Sequence, residues 1–413
     1  MRKILIASIF TLAASFSFYE IALAQSAVNT AAGQESITIR AGSLIDGTGE
    51  VRENVTITVE NGKIQRLDNS AGPYTFDFSD KIVLPGLIDT HVHITAHFNS
   101  QGRYGPDPDQ TQAQTLLYAA ENAYLTLMAG FTTIQSVGRD DDKDLRDAIN
   151  RGVLPGPRIL TSLAPINLNS GTPSQLVEIV RQRHADGADV IKMFASASIR
   201  DGGSQVMSDA QIQAVCSTAN EVGLRTVVHA YGTESISTVI EAGCTQIEHG
   251  NRYDDDIIDL MTERDTYYDP HLGLLYANYF DNRGKFIGIG NYTEEGFAAM
   301  EEARVIGYET FKRTLELGDV KIVYGTDALA GAHGRNIEEL IYRVEEGGQD
   351  RMDAIVSATS LAAESLNLEQ VIGTIAVGLN ADIIAIDDNP LEDTAALRNI
   401  RFVMKDGVVY KNN

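Results

Sequence analysis

Eight short apolar runs of strand length do most to narrow the folds open to this 413-residue chain. They fall near residues 83–93, 131–137, 158–163, 188–194, 224–230, 244–249, 266–272 and 320–327, and most are separated by helix-forming sequence. Alternating β and α units in that number predict an α/β fold, a (β/α)8 barrel over residues 83–374, whose strands all deliver their C-terminal ends to one rim. Residues at those ends are therefore the first candidates for chemistry.

The first run, Gly86-Leu87-Ile88-Asp89-Thr90-His91-Val92-His93, closes with two imidazoles at i and i+2, which a strand points to the same side. Neutral imidazole is the commonest protein metal ligand, so two converging rings supply half of a coordination sphere. A lone His-x-His triplet is equally at home on a polar strand face. Four further runs favour the metal reading, because each also ends in a residue able to bind a metal: Asp189-Val190-Ile191-Lys192, Thr226-Val227-Val228-His229, Thr245-Gln246-Ile247-Glu248-His249 and Ile322-Val323-Tyr324-Gly325-Thr326-Asp327. Lys192 lies within Val190-Ile191-Lys192-Met193-Phe194, an apolar setting that argues against a lysine merely reaching for solvent.

Taken in order, Pro85-Gly86-Leu87-Ile88-Asp89, His91-x-His93, Lys192, His229, His249 and Gly325-Thr326-Asp327 resemble the amidohydrolase superfamily over nearly all of the chain after residue 35. The resemblance implies a carboxylated Lys192, formed from CO2 and bridging two divalent metal ions, with zinc the expected metal. It implies that His91, His93 and Asp327 hold the more buried ion, and His229 and His249 the more exposed one. Relatives that work with a single metal generally lack the lysine. Two ions roughly 3.5–4 Å apart activate water and polarise a carbonyl together, which is chemistry for hydrolysing an amide or ester. By the same resemblance Asp327 is also the catalytic acid–base, taking the proton of the attacking water and passing it to the leaving amine.

Both flanks read as β-structure. Ser36-Ile37-Thr38-Ile39-Arg40 and Val55-Thr56-Ile57-Thr58-Val59 alternate and turn at Asn61-Gly62, while Ala381-Asp382-Ile383-Ile384-Ala385-Ile386 and Ile400–Tyr410 repeat the pattern near the other end. Residues 36–82 and 375–413 are thus expected to form one small composite β-sandwich beside the barrel, as in this superfamily. The N-terminus reads differently. Met1-Arg2-Lys3, an apolar stretch from Ile4 to Phe18 and Ala22-Leu23-Ala24 make a secretory signal peptide of residues 1–24, followed by a disordered joint at 25–35. The apolar stretch is interrupted by Glu20, short of the roughly 20 residues a membrane span needs. An exported, periplasmic or secreted chain with no membrane span in its mature part is the expectation.

Composition limits the partners. With 33 Lys+Arg against 57 Asp+Glu the net charge is −24, which disfavours nucleic acid and anionic membranes and leaves small molecules as the partner class. Homo-oligomers are common among the relatives. Cys216 and Cys244 are the two cysteines, on different βα units, and are expected as buried free thiols, with a bridge left open.

Within the superfamily the motifs are most similar to exported metallopeptidases that cleave Xaa-Pro or Xaa-Arg/Lys dipeptides, with ochratoxin-type amide hydrolases as kin. That implies a dipeptidase or carboxypeptidase-like enzyme acting on dipeptides or N-acyl amino acids. It also implies that Tyr231, in His229-Ala230-Tyr231-Gly232, grips the substrate's α-carboxylate. His271, after strand seven, and His333, after Asp327, are further candidate substrate contacts at the rim. The alternatives are a hydrolase of a non-peptide amide, ester, lactone or cyclic imide, and, more remotely, a barrel that binds without catalysis. The long aromatic connection Gly273–Leu317 is expected to form a lid.

Overall fold

The computed structural model describes residues 36–413, so the expected signal peptide and joint lie outside the described residues. The strands are β1 (Ile37–Ile45), β2 (Val51–Glu60), β3 (Lys63–Asp68), β4 (Phe76–Pro85), β5 (Leu87–Val92), β6 (Phe131–Ser136), β7 (Arg158–Thr161), β8 (Val190–Phe194), β9 (Arg225–Gly232), β10 (Gln246–Arg252), β11 (Tyr267–Asp269), β12 (Lys321–Ile322), β13 (Ile383–Ile386), β14 (Phe402–Lys405) and β15 (Val408–Asn412).

Strands β5 to β12 are the eight barrel strands that the apolar runs anticipate. They form two parallel arcs, β5-β6-β7 and β8-β9-β10-β11-β12. Single parallel bridges, Ile166 to Met193 and Val92 to Ala328, join the arcs at both seams. Apolar residues of the strands meet the surrounding helices, as sheets covered by helices require. The inside of the ring is polar. Gln135 on β6 donates 2.8 Å to the Thr90 carbonyl of β5 and accepts 2.7 Å from Arg225 of β9, a strand on the far side of the ring. Gln135 thus finds partners on two other strands, as a buried amide must away from water.

Helix starts are written locally. Thr111 with Gln114, Thr172 with Gln175 and Ser208 with Gln211 each form a reciprocal capping box at the head of a barrel helix. The first of these helices, Gln112–Met128, buries Ala119, Ala123 and Leu127 at helical spacing, in the same core as Phe131 and Ile134 of β6.

The flanks build one seven-stranded sheet from both chain ends, in the order β15-β14-β13-β4-β1-β2-β3. It curls until its two outer hairpins touch. The turns Asn61-Gly62 and Asp406-Gly407 take positive φ throughout, and a Cβ on Gly407 would stand 2.7 Å from the Cα of Gly62. One face encloses Ile39, Ile57, Phe78, Ile383, Phe402 and Met404, which gives the sandwich-like core. The other face sends Leu84, Ile384 and Val403 into the barrel core with Phe131 and Ala123. β4 runs to Pro85, past the expected boundary at 82, and leads directly into β5. The sheet therefore anchors the strand that carries His91 and His93.

Cys216 and Cys244 correct the free-thiol expectation: they form a disulfide, with Cα atoms 5.1 Å apart. The helix Asp209–Glu221 and the residues entering β10 are separated in the chain by β9 and the helix Thr233–Glu241. That proximity is tertiary and leaves no local signal. The long connection folds as helices Leu274–Asp281, Arg283–Phe286 and Glu294–Leu317, which pack Tyr276, Tyr279, Phe286, Tyr292 and Phe297 into one aromatic cluster.

Candidate metal centre

Two sequence motifs interlock where the barrel's first and last strands meet. Asp89 accepts from the Thr326 hydroxyl at 2.7 Å, from the Thr326 amide at 3.1 Å and from the Asn336 side chain at 2.7 Å. The Asp327 amide donates 2.8 Å to the His91 carbonyl. Gly325 is required by crowding, because a Cβ there would fall 1.9 Å from the Asp269 carboxylate and 3.0 Å from the His91 side chain. Gly-Thr-Asp is thus read residue by residue: room for Asp269, a clasp on Asp89, and a carboxylate delivered to the site. Burial pushes Asp89 up to about 7.

Asp327 brings its Oδ1 to 3.0 Å from His93 Nε2 and 3.6 Å from His91 Nε2. Although buried, that oxygen has no hydrogen-bond partner. Two ring nitrogens and a carboxylate oxygen that converge without bonding one another suit a cation between them. His91 Nδ1 meets Glu248 at 2.5 Å, the carboxylate–histidine contact that orients a ligating ring. Lys192 Nζ lies 3.4 Å from His91 Nε2. Among the described residues no carboxylate oxygen comes within 4 Å of this buried amine, and burial lowers its pKa. The His229 and His249 rings are 4.5 Å apart, centroid to centroid. Burial holds His229 down at about 3 and His249 well below its ordinary value, so both rings offer lone pairs. For Asp327, burial alone would raise the carboxyl, but the hydrogen bond from His93 and the neighbouring imidazoles of His91 and His271 outweigh it and hold it far down. His249, His271 and Asp327 have positive φ, in the left-handed region that side-chain-bearing residues rarely occupy.

These residues open into a cavity of about 800 Å3 that His91, His93, Lys192, His229, His249 and Asp327 all line. Tyr231 lines it too, its ring stacked 4.7 Å from His249. The other two proposed substrate contacts, His271 and His333, are not among the residues that line the cavity. His271 is buried beneath the rim and does not line the cavity; its Nδ1 is 3.1 Å from His249 Nδ1, and its Nε2 is 3.2 Å from Asp269 and 3.3 Å from Glu248. Burial would depress this imidazole, but the two carboxylates prevail and raise it well above the usual range. His333 bonds the His93 carbonyl at 3.1 Å and is likewise out of the cavity. His271 offers a ligand atom within 4.8 Å of those of His249 and Asp327, while His333 holds the backbone of His93.

The sequence reading missed a supporting layer. Arg343, fully buried, donates to Asp269 at 2.9 Å, to the Val323 carbonyl at 2.7 Å and to Glu339 at 3.2 Å. Glu339 in turn accepts from the amides of Leu272, Gly273 and Leu274. Glu248, inside the quoted Ile-Glu-His motif, carried a usable signal: it shares with Gln246, two residues earlier, the strand face that turns into the barrel, where it meets His91. Arg343 carried none. Arg139, Arg200, Tyr104, Tyr276, Tyr279 and Tyr292 also line the cavity unforeseen.

Barrel, composite sheet and rim together define a class: an α/β-barrel protein with a histidine-rich, metal-competent site. The chain belongs to the amidohydrolase family, whose model matches residues 82–411, and is a metal-dependent amidohydrolase. Its structure is similar to that of a Xaa-Pro dipeptidase with bound methionine in the active site, at a TM-score of 0.82 and 32% identity, covering 91% of this chain and 100% of that one. A putative prolidase from Bifidobacterium longum gives a TM-score of 0.78 at 25% identity, over 92% of this chain and 96% of that one. In sequence, the chain is 24% identical to the ochratoxinase of Aspergillus niger, over 90% of this chain and 86% of that protein.

Proposed function

We propose that this protein hydrolyses a C–N amide bond as a dipeptidase or carboxypeptidase-like enzyme with two divalent ions, expected to be zinc, in the rim site. The observation that carries the reading is Lys192: a buried amine, facing His91, with no carboxylate oxygen within 4 Å of it among the described residues. An isolated buried charge is costly. Addition of CO2 to the neutral amine, with loss of one proton, turns that liability into an anionic ligand shared between the sites of His91, His93 and Asp327 and of His229 and His249. Ions held there supply Lewis acidity for the scissile carbonyl and acidify water.

The chain's own residues do the rest. Asp327, ionised and poised beside His93, accepts the proton of the attacking water and returns it to the leaving nitrogen. Glu248 fixes the His91 ring, and His333 braces the backbone of His93. Tyr231 places its hydroxyl-bearing ring on the cavity wall, where it is proposed to meet the substrate carboxylate. A second reading, hydrolysis of a bulkier non-peptide amide, lactone or cyclic imide, is favoured by the cavity's size and its tyrosine-rich wall. Export is supported by the Cys216–Cys244 disulfide, since such bonds persist in oxidising compartments. No helix among the described residues is long and apolar enough to cross a membrane.

The test is metal analysis joined to a substrate panel. Two equivalents of zinc, retained in a bicarbonate-dependent way, with turnover of dipeptides or N-acyl amino acids, is the expected result. Turnover of lactones or hydantoins alone selects the second reading, and a metal-free chain that hydrolyses nothing rejects both.

A further inference from the structure

Arg200 stands in the short turn Ile199–Asp201 that follows β8, and its side chain lines the cavity. Its guanidinium carbon lies 4.1 Å from the ring centre of Tyr292 and 5.5 Å from that of Tyr279. Nε donates 2.9 Å to the Asn291 side-chain oxygen, and Nη1 points at the Met300 sulfur at 3.8 Å. Among the described residues no carboxylate oxygen lies within 4 Å of it. The comparison with Arg139, the other arginine of the cavity wall, is direct: Arg139 is exposed and is spent on Asp141 at 3.0 Å. Arg200 is held by aromatic faces, a neutral amide and a thioether, which orient a cation without neutralising it. An arginine's planar fork is suited to a bidentate carboxylate.

We infer that Arg200 is the anion-recognition residue of this site and that the substrate carries a carboxylate which docks on it. This rests on the hydrolase reading for its biological meaning, but the binding event does not depend on catalysis. The fork emerges from the loop after β8, while the ions' residues emerge from β5, β8 itself, β9, β10 and the segment after β12. Tyr231, which belongs to the same wall, contributes a hydroxyl to that grip, whereas Arg200 supplies the charge. The carboxylate belongs either to the C-terminal residue of the substrate or to an acidic side chain. Both have the chemistry Arg200 recognises.

The experiment is calorimetric titration of the intact, metal-loaded chain and its Arg200→Met and Arg200→Lys variants. The probes are N-acetyl-L-phenylalanine, its neutral amide, and N-acetyl-L-aspartic acid α-amide. A charged hydrogen-bonding partner is worth roughly 10- to 100-fold in affinity. The wild type is expected to prefer N-acetyl-L-phenylalanine over its amide by that factor. Arg200→Met should remove the preference, and Arg200→Lys should restore part of it. Comparable binding of the aspartic acid α-amide assigns the side-chain source; binding of N-acetyl-L-phenylalanine alone assigns the C-terminal one. If Arg200 serves only to staple Asn291 and the Glu294–Leu317 helix, the variants weaken the acid and the amide equally, and the inference fails. It also fails if the wild type shows no preference, or if Arg200→Met keeps it, which would place the charge recognition at the ions. An Arg200-dependent preference in a chain that hydrolyses none of the panel leaves this inference standing and removes the proposed activity.

Discussion

The Cys216–Cys244 bond makes a quantitative prediction. It closes a loop of 28 residues that contains all of β9 and therefore His229. In the chain-entropy description, tying a loop of that length removes about 12 cal/mol/K from the unfolded ensemble, which is about 3.6 kcal/mol at 25 °C. For a chain of this size the unfolding entropy is near 0.8 kcal/mol/K, so the same quantity corresponds to a loss of roughly 4–5 °C in the melting midpoint. Both sulfurs are buried and neither touches the cavity. The perturbation is the double replacement Cys216→Ala with Cys244→Ala, compared with oxidised and with dithiothreitol-reduced wild type. Urea unfolding followed by far-ultraviolet dichroism reads stability, and metal content with kcat reads the site. Reduced wild type and the double variant should both lose about 3–4 kcal/mol and keep metal and turnover while folded. A loss below about 1 kcal/mol would show that the unfolded chain gains little freedom from the cut. A native-state loss of metal would show instead that the bond holds His229 in place, and either result refutes the reasoning.

Three other predictions concern the site. Asp327→Asn should keep most metal binding but lower kcat by about 10²- to 10⁴-fold, the usual contribution of general acid–base transfer, as read by steady-state kinetics beside metal analysis; near-normal turnover would exclude Asp327 as the proton carrier. Tyr231→Phe should raise KM for substrates with a free carboxylate far more than for neutral amides, and an equal rise for both would reduce Tyr231 to a packing residue. Asp142, fully buried and bonded to the Ser136 hydroxyl at 2.7 Å, is pushed up to about 6 by burial. A carboxyl raised in the fold stabilises it fully below the unfolded value near 4, and that stability is lost as pH rises through about 6. Asp142→Asn, which cannot ionise, should therefore match wild type near pH 3.5 and be more stable by about 2–3 kcal/mol at pH 8; a difference that is flat with pH would contradict the assignment.

What the sequence disclosed followed its periodicity. β5, β8, β9 and β10 are almost wholly buried, and each carries or leads into a candidate ligand, so strands and candidates could be read together. β12 is only two residues long, yet Val323-Tyr324-Gly325 carries the chain on to Asp327. Residues whose role depends on who faces them across the ring were opaque. His271 stands at a strand end like the ligands, but its register against Asp269 and Glu248 turns it beneath the rim. Arg343 reaches Asp269 from a helix 74 residues further on, and Arg200 sits in a turn whose composition announces nothing. The disulfide belongs to the same group. It is set by how a helix docks, and no spacing rule encodes that.

The composite sheet has a consequence for the order of assembly. Ile39, Ile57 and Phe78 are made early, but Ile383, Phe402 and Met404, which complete their enclosure, are made only after the whole barrel segment. β4 likewise waits for β13 to occupy its open edge. A chain emerging N-terminus first, from a ribosome or a translocation pore, must carry an unsatisfied strand edge and a bare apolar face for almost its whole synthesis. Arrival of β13 and β14 thus completes the sheet, and molecules truncated before residue 383 should be cleared by chaperones and proteases instead of accumulating as partly active barrels.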